Sequence, residues 1–252
     1  MRRQAGVLVV AKAPVPGEAK TRLGEQLGAV AAADLAAASL LDTLDACEAF
    51  APARARLIAL TGDLRSAQRG AEITRRLRSW TVVDQAGATF AERLVRAHRD
   101  AATLLGDEVA VVQIGMDTPQ LRACDLASLA DAVDDFSDTC CDAALGPAAD
   151  GGWWGLSTRK SGYVDQLVDV PMSRPDTCRE TLRALVATGA TVGFVHELVD
   201  VDSLDDAIVV AAYSQQTRFA RTLREVWGGA RSAAWEDRER VTPCQAQAEV
   251  AP

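Results

Sequence analysis

The chain contains little lysine and few aromatic side chains. Of its 27 basic residues only Lys12, Lys20 and Lys160 are lysines, and aromatic residues make up 5% of the 252 positions. Two of the three lysines fall within the segment 12–20. Lysine differs from arginine in presenting a compact, strongly hydrated point charge. The concentration of lysine in this segment therefore indicates that an ammonium group is needed there.

Several other features are missing, and each absence argues against a class of protein. No stretch approaches the roughly 18 consecutive apolar residues of a membrane span, and no signal-peptide pattern follows Met1, so we expect a cytoplasmic protein. The six cysteines lack CxxC spacing, which argues against a metal cluster or a disulfide framework. The net charge of −8 argues against a general nucleic-acid binder. The GxSxG, HExxH, Walker A and GxGxxG motifs are all absent.

The pattern that remains is that of an α/β protein. Short apolar runs alternate with amphipathic segments, and the regular alternation in the N-terminal half predicts a parallel sheet with right-handed crossovers. The predicted strands are Val7–Ala11, Leu57–Thr61, Trp80–Asp84, Val109–Ile114, Ala143–Leu145, Trp153–Leu156 and Thr191–Val195. The predicted helices are Thr21–Glu48 with a break near Gly24 or Gly28, Leu64–Leu77, Phe90–Leu105, Ala123–Ala132, Asp176–Ala187 and Ser203–Val226. We expect one domain over residues 1–227 and a flexible tail over residues 228–252, which lack an apolar period.

The segment 6–23, GVLVVAKAPVPGEAKTRL, combines an apolar strand, a loop and the start of a helix. A helix N-terminus attracts anions through its free N–H groups and its dipole, and Lys20 and Arg22 add positive charge at this point. We interpret the segment as a diphosphate cradle. Its expected nucleotide-binding residues are Ala11, Lys12, Pro14, Gly17, Lys20 and Arg22.

A second candidate site, Gly115-Met116-Asp117-Thr118, follows the most apolar predicted strand. In open α/β sheets ligands bind beyond the carboxyl ends of the strands, and Asp117 lies just past such an end. A carboxylate there can hold a divalent metal that bridges phosphate oxygens, since Mg²⁺ commonly takes only one or two protein carboxylates. We favour this role over simple turn capping. We therefore expect Mg²⁺ or Mn²⁺ as cofactor and Asp117 as both metal ligand and catalytic residue.

A third candidate site is Asp150-Gly151-Gly152-Trp153-Trp154, which predicts a sharp turn with close ligand access to the backbone. Asp150 is a candidate general base or hydroxyl-binding carboxylate, and the alternative is a plain Asp-Gly hairpin turn. Adjacent tryptophans in a strand point to opposite faces, so one can stack on a sugar or base while the other packs in the core. We predict Asp150 as the second catalytic residue, with Gly151, Gly152 and Trp153 as substrate-binding residues.

Two further segments carry acidic residues. In Asp200-Val201-Asp202-Ser203, Ser203 or Asp202 is a candidate N-cap of the following helix. The alternative is that Asp200 or Asp202 is a second metal ligand opposite Asp117, and we assign Asp202 as the ligand. Glu92 and Arg93 open a predicted helix near the proposed site and are candidates for substrate binding, with a surface ion pair as the alternative. The two histidines, His98 and His196, lack any metal or catalytic pattern and are expected to be structural.

Four segments together resemble a known family. KAPVPGEAKTRL, GMDTPQL, GPAADGGWW and DVDSLDD, in this order and spacing, are similar to the motifs of a bacterial family of glycosyltransferase-like proteins of unknown function. The resemblance implies a three-layer α/β/α sandwich with a mainly parallel central sheet, the Rossmann-like nucleotide-diphospho-sugar transferase fold of the glycosyltransferase A type. The KTRL opening is also similar to that of 2-phospholactate guanylyltransferases. The chain departs from the family pattern in carrying tryptophans at 153 and 154, where tyrosines are commoner, and Phe90-Ala91 where the family has Leu-Gly.

The resemblance implies a transferase that uses a nucleotide-diphospho-sugar donor and a divalent metal to glycosylate a small-molecule acceptor. The alternative is a nucleotidyltransferase that joins a nucleoside triphosphate to a phosphorylated small molecule and releases pyrophosphate. A third hypothesis is a non-catalytic nucleotide-binding module, motivated by the single acid at the Asp117 turn. The sequence does not define the base, the sugar, the acceptor or the oligomeric state.

Overall fold

A computed structural model describes residues 5–106, 109–134 and 140–228. Within these ranges the chain forms one seven-stranded sheet and eight α-helices. The strands are β1 (Ala5–Lys12), β2 (Arg56–Thr61), β3 (Thr81–Asp84), β4 (Ala110–Ile114), β5 (Ala143–Pro147), β6 (Trp153–Thr158) and β7 (Val192–Phe194). The helices are α1 (Thr21–Leu27), α2 (Ala29–Phe50), α3 (Gly70–Arg76), α4 (Phe90–Leu105), α5 (Ala123–Ala132), α6 (Thr177–Ala187), α7 (Leu204–Tyr213) and α8 (Arg218–Gly228), and 3₁₀ turns span Ala53–Ala55, Leu77–Ser79 and Ser161–Asp169.

The sheet has the strand order β3-β2-β1-β4-β6-β5-β7. Strands β1 to β4 pair in parallel, which confirms the prediction for the N-terminal half. Strand β6 is antiparallel to both β4 and β5, so the irregular region after residue 140 contains the expected hairpin. The carboxyl ends of β1, β4 and β5 therefore meet at the same edge of the sheet.

Helices cover both faces of the sheet, because successive residues of each buried strand point in opposite directions. In β1, Val7 and Val9 pack with α2 and α5, whereas Leu8 and Val10 pack with α4. All four side chains are buried. This arrangement confirms the three-layer α/β fold class.

The single helix predicted over Ser203–Val226 is wrong, because the structure has two helices, α7 and α8, separated by residues 214–217. The carboxylate of Asp42, on α2, accepts hydrogen bonds from the backbone N–H groups of Arg218 (3.0 Å) and Phe219 (2.8 Å). A carboxylate at this position satisfies the free N–H groups of a new helix. The second helix therefore begins where α2 supplies a cap.

The prediction of a helix from Leu64 is also wrong at its start, because α3 begins only at Gly70. Arg69, the residue before it, has a left-handed backbone with φ of 51°. Its guanidinium makes a bidentate ion pair with Asp34 (2.7 and 2.9 Å) and donates a hydrogen bond to Thr222 Oγ1 at 2.7 Å. These tertiary bonds hold Arg69 in a conformation that an α-helix does not allow.

Other expectations meet the limits of the described chain. The predicted tail over residues 228–252 lies outside the described residues except for Gly228, which is the last residue of α8. Every helix within the described ranges is too short or too polar to span a membrane. The predicted break in the first long helix is confirmed at Gly28, which separates α1 from α2.

A buried histidine links helix α4 to strands β4 and β6 of the sheet. The ring of His98, on α4, lies 2.8 Å from Gln113 Oε1 on β4 and 2.8 Å from Thr158 Oγ1 on β6. Its side chain is fully buried, and burial lowers the pKa of His98 to about 4, although the hydrogen bond to Gln113 acts in the opposite direction. The histidine is therefore structural, as expected, and neutral in the folded protein near pH 7.

We expect His98→Gln to change how the free energy of unfolding depends on pH. An unfolded histidine has a pKa of about 6.5, so between pH 6.5 and 4 the unfolded wild type binds a proton that the folded state excludes, and its stability falls as the pH falls. The free energy of unfolding of the wild type, relative to that of the variant, should therefore fall by roughly 2 kcal/mol from pH 7.5 to pH 5. Urea unfolding at the two pH values measures it.

The control is Val186→Ala, which changes an exposed side chain on α6 that has no titratable group. The control should keep the pH dependence of the wild type. An identical pH dependence in the His98 variant and the wild type would contradict the assignment of a neutral, buried ring.

Candidate active site

A cleft of about 790 Å³ opens at the carboxyl edge of the sheet. It is lined by the ends of β1 and β4, the start of α4, the β5–β6 hairpin and the segment that leads into α7. This is the position at which open α/β sheets bind ligands. Predicted site residues that line the cleft are Ala11, Lys12, Lys20, Arg22, Arg93, Asp117, Asp150, Gly152, Trp153 and Asp202.

The other predicted site residues do not line this cleft. Pro14 is buried and its carbonyl accepts a hydrogen bond from the Gln68 N–H, while Gly17 is exposed in the first loop. Glu92 closes the loop before α4, since its carboxylate accepts a hydrogen bond from the Ala88 N–H at 2.7 Å. These residues shape the neighbouring loops, and a direct role for them in binding stays a prediction.

Backbone and side-chain hydrogen bonds fix the turn after β4. The Ser39 hydroxyl, on α2, donates to the Met116 carbonyl at 2.6 Å. The Val201 N–H donates to the Asp117 carbonyl at 2.9 Å, and the Gln120 amide donates to the Val199 carbonyl at 2.7 Å. The segment that carries Asp200 and Asp202 is therefore held directly against the segment that carries Asp117.

Lys20 joins the first loop to both of these segments. Its ammonium Nζ lies 2.8 Å from Asp117 Oδ1 and 2.9 Å from Asp202 Oδ1. The Lys20 side chain is only 12% exposed. Three of the segments that the sequence singled out, those of Lys20, Asp117 and Asp202, thus meet at one ammonium group.

The charges of this cluster stabilise one another. Burial by itself lowers the pKa of Lys20, but the carboxylates of Asp117 and Asp202 raise it above its ordinary value. Burial raises the pKa of Asp202, and Lys20 followed by Arg22 more than reverses this effect and lowers it overall. Lys20 is therefore a permanent cation between two carboxylates.

The backbone at the cleft is strained at two positions. Three non-glycine residues in the described ranges have a positive φ, namely Lys20 (49°), Arg69 (51°) and Ser173 (58°). Lys20 and Ser173 line the cleft. Left-handed backbone is unfavourable for residues with a Cβ and is often found at functional sites, so its occurrence here supports a functional role for the cleft.

Asp200 lies beside the cluster without an ion-pair partner of its own among the described residues. Burial raises the pKa of Asp200 to about 7, and the negative charges of Asp117 and Asp150 add to this effect while Lys20 opposes it. The carboxylates of Asp117, Asp200 and Asp202 therefore compete for the positive charge of Lys20. Such a cluster gains from any further cation that enters the cleft.

Asp150 lies at the tip of the β5–β6 hairpin and is exposed. Its Oδ1 accepts a hydrogen bond from the Gly152 N–H at 2.8 Å, so the turn role expected for an Asp-Gly hairpin is present. Gly151 has a φ of 88°, and a Cβ there would lie 2.0 Å from the Pro175 carbonyl oxygen. Its own carbonyl accepts from the Cys178 N–H at 2.9 Å. The tip is thus fastened to the segment before α6.

The two tryptophans point to opposite faces of the sheet, as expected. Trp154 is 1% exposed and packs in the core with α2, where its Nε1 donates to the His196 carbonyl at 3.0 Å. Trp153 packs on the α4 side and lines the cleft, and its Nε1 donates to Thr181 Oγ1 at 3.2 Å. Trp153 is therefore the tryptophan available to a ligand.

One wall of the cleft, formed by residues 172–175, was not among the predicted site residues. Met172, Ser173 and Arg174 have no motif that marks a site. Tertiary packing brings the segment to the cleft, because Met172 and Trp153 pack against the same core cluster and Pro175 lies against Gly151.

The residues present fit a divalent cation of the magnesium type in part. Within the described ranges, no group of three or more His, Cys, Asp or Glu side chains is arranged to hold a metal ion. Asp117 and Asp202 each direct Oδ1 to the Lys20 ammonium, which leaves the second carboxylate oxygen of each residue as a donor for an ion. Mg²⁺ is often held by one or two carboxylates together with substrate phosphates, so this pair of oxygen donors suits it.

We expect Asp200→Asn to stabilise the protein more at pH 8 than at pH 5.5. A carboxyl group whose folded pKa lies above its unfolded value costs stability as the pH rises through that interval. The advantage of the variant should grow by about 1 kcal/mol between the two pH values, allowing for partial exposure. Urea unfolding with EDTA measures it, and Asp169→Asn, at an exposed position outside the cleft, is the control. Equal effects of the two substitutions at both pH values would disprove the expectation.

Comparisons with known proteins agree with this fold. A crystal structure from Desulfovibrio desulfuricans G20, described provisionally as a nucleotide-diphospho-sugar transferase, is 23% identical, with a TM-score of 0.75 over 93% of this chain and 97% of that one. A cytidylyltransferase from Leptospira borgpetersenii serovar Hardjo-bovis has 10% identity and a TM-score of 0.52 over 90% and 94% of the chains. A 4-diphosphocytidyl-2C-methyl-D-erythritol synthase from Anaerococcus prevotii DSM 20548 has 11% identity and a TM-score of 0.51 over 84% and 99%.

A search of curated protein sequences gave no match. Residues 43–174 match the model of a family described as "Uncharacterized protein conserved in bacteria (DUF2064)". The matched region excludes the first loop with Lys12 and Lys20, so that motif is not part of this match. Because the matched region covers just over half of the 252 residues, the chain belongs to this bacterial family.

Proposed function

We propose that the protein is a transferase that binds a nucleotide-diphospho-sugar in the cleft and transfers the sugar to a small acceptor. The observation that carries the proposal is the position of Lys20 between Asp117 and Asp202, at the carboxyl edge of a sheet of this fold. The relative from Desulfovibrio desulfuricans, which matches over nearly the whole chain, is described in the same terms.

The charge balance of the cleft explains why a cation belongs to this proposal. The lining includes six acidic and five basic residues, so a diphosphate entering it meets no net positive charge. Asp117 and Asp202 would hold Mg²⁺ or Mn²⁺. When bound, such an ion offsets the diphosphate charge and stabilises the departing nucleoside diphosphate.

Lys20 and Arg22 contribute fixed positive charge on the same side of the cleft. Because two carboxylates already hold the Lys20 ammonium, its position does not need to change when a ligand arrives, and this preorganisation favours catalysis. The Arg22 side chain is 80% exposed, and its nearest carboxylate oxygen, on Asp202, is 3.9 Å away. Arg22 is therefore free to turn toward a phosphate group.

Asp150 and Trp153 would act on the acceptor. Asp150 is exposed at the hairpin tip, where its free carboxylate oxygen can accept the proton of an acceptor hydroxyl or orient that hydroxyl. The indole of Trp153 offers a flat apolar wall of the kind on which sugar rings pack. Both residues lie on the same hairpin, so they would meet the same ligand.

A second candidate is a nucleotidyltransferase, in which a phosphorylated acceptor attacks the α-phosphate of a nucleoside triphosphate. The crowding of Asp117, Asp200 and Asp202 around one position favours it, because a triphosphate carries more charge for cations to offset. The Leptospira and Anaerococcus relatives are named for cytidylyl chemistry. The products distinguish the two reactions.

We expect Lys20→Ala to weaken nucleotide-diphospho-sugar binding at least a hundredfold. The substitution removes the cation and leaves Asp117 and Asp202 to repel the diphosphate. Isothermal titration with UDP-, GDP-, CDP- and dTDP-sugars in the presence of Mn²⁺ measures the loss. Lys160→Ala is the matched control, since Lys160 is an exposed lysine outside the cleft. Unchanged affinity in a folded Lys20 variant would remove this residue from the site.

We also expect turnover to depend on a divalent cation and on Asp117. With the same donors and a panel of small alcohols and sugars, the wild type should release nucleoside diphosphate, and EDTA should abolish the release. Asp117→Asn should lower the rate about a hundredfold or more, by analogy with the loss of other electrostatic groups. Asp169→Asn should keep the wild-type rate. Release of pyrophosphate from nucleoside triphosphates, with no reaction of nucleotide-sugars, would establish the second candidate instead.

A further inference from the structure

One cationic side chain of the cleft has no acidic partner among the residues that the structure describes. The other four cations each lie within ion-pair distance of a carboxylate, in the pairs Lys12–Glu18, Lys20–Asp117, Arg22–Asp202 and Arg174–Asp176. Arg93 makes no ion pair and no side-chain hydrogen bond with any residue in the described ranges. It therefore differs from every other cation that lines the cleft.

The Arg93 guanidinium packs against an aromatic ring and has no polar partner in the described part of the chain. Its central carbon lies 5.7 Å from the centre of the Phe90 ring, which is one helical turn earlier on α4. Its Nε is buried and has no hydrogen-bond acceptor among the described residues. A buried donor without an acceptor is unfavourable, so the side chain is in a position where an incoming acceptor atom gives a gain.

Arg93 and Lys20 reach the cleft from opposite faces of the sheet. Helix α4, which carries Arg93, packs on the face formed by Leu8 and Val10 of β1. Lys20 precedes α1, which packs on α2 on the other face. The cleft therefore receives Lys20 from one face of the sheet and Arg93 from the other.

We propose that Arg93 binds an oxyanion group of the substrate, a phosphate, on the α4 side of the cleft. A guanidinium forms two parallel hydrogen bonds with such a group, and Phe90 keeps its plane in place. This inference rests on the proposed function, which defines the two ligands that can carry the oxyanion, an acceptor and a nucleotide donor. The oxyanion belongs either to the acceptor, which would then be an anionic small molecule, or to the nucleotide donor.

Binding of two classes of anion to four proteins tests the proposal. The proteins are the wild type and the variants Arg93→Gln, Arg93→Lys and Arg96→Gln. The probes are UDP, GDP and CDP with Mn²⁺ as one class, and inorganic phosphate and glycerol 3-phosphate as the other. Arg96 lies on the same helix, is 65% exposed and is absent from the cleft lining, so it controls for loss of charge on α4.

We expect Arg93→Gln to weaken binding of one class at least tenfold, with Arg93→Lys intermediate because it keeps the charge but not the planar fork. Arg96→Gln should bind like the wild type. A loss confined to phosphate and glycerol 3-phosphate assigns the oxyanion to the acceptor, and a loss confined to the nucleotides assigns it to the donor. Melting curves verify that each variant is folded.

Two results would overturn the inference. One is that Arg93→Gln binds both classes of anion as tightly as the wild type. In that case the proposed function stands, provided that nucleotides still bind through Lys20. The other is that the wild type binds neither the nucleotides nor the phosphate compounds. If nucleotides fail to bind but phosphate binds and depends on Arg93, the proposed function fails and the oxyanion site stands.

Discussion

The contact of one ammonium group with two carboxylates joins three loops at the carboxyl edge of the sheet. Lys20, Asp117 and Asp202 are far apart in sequence, and the Lys20 ammonium lies 2.8 Å from Asp117 Oδ1 and 2.9 Å from Asp202 Oδ1. Without the lysine, the acidic segments after β4 and before α7 would face each other across the sheet edge with uncompensated charge. Because the Lys20 backbone is left-handed, the fold accepts local strain to place this group. Both the local structure and the proposed chemistry depend on this placement.

The rest of the site follows from how the sheet is built. Parallel strands β1 and β4 are neighbours, so the loops that follow them must meet at one edge, and the hairpin formed by β5 and β6 adds Asp150 and Trp153 at the same edge. One architecture supports different reactions through different loops. The fold therefore explains where the cleft lies, whereas the charged residues on the loops decide which ligand suits it.

The meeting of Lys20 with Asp117 could be predicted from the sequence, because strand order and the carboxyl-edge rule are local and general. The start of α8 could not, since its cap, Asp42, is 176 residues away from Arg218. The same holds for the wall at residues 172–175, which reaches the cleft through contacts with Gly151. The sequence also marked Glu92 and Arg93 together, but only the positions of the described carboxylates show that none of them pairs with Arg93 and that Glu92 serves its own loop. Properties that depend on distant neighbours remain beyond pattern analysis.

The close approach of Gly151 to Pro175 has a consequence for how the cleft can open. The hairpin tip is bonded to the start of α6, where the Cys178 N–H donates to the Gly151 carbonyl, and Pro175 leaves no space for a side chain at Gly151. The tip cannot swing outward alone without breaking that hydrogen bond. Entry of a bulky substrate on this side therefore requires both segments to shift as a unit, which couples the aromatic wall, the hairpin acid and Arg174 in a single motion.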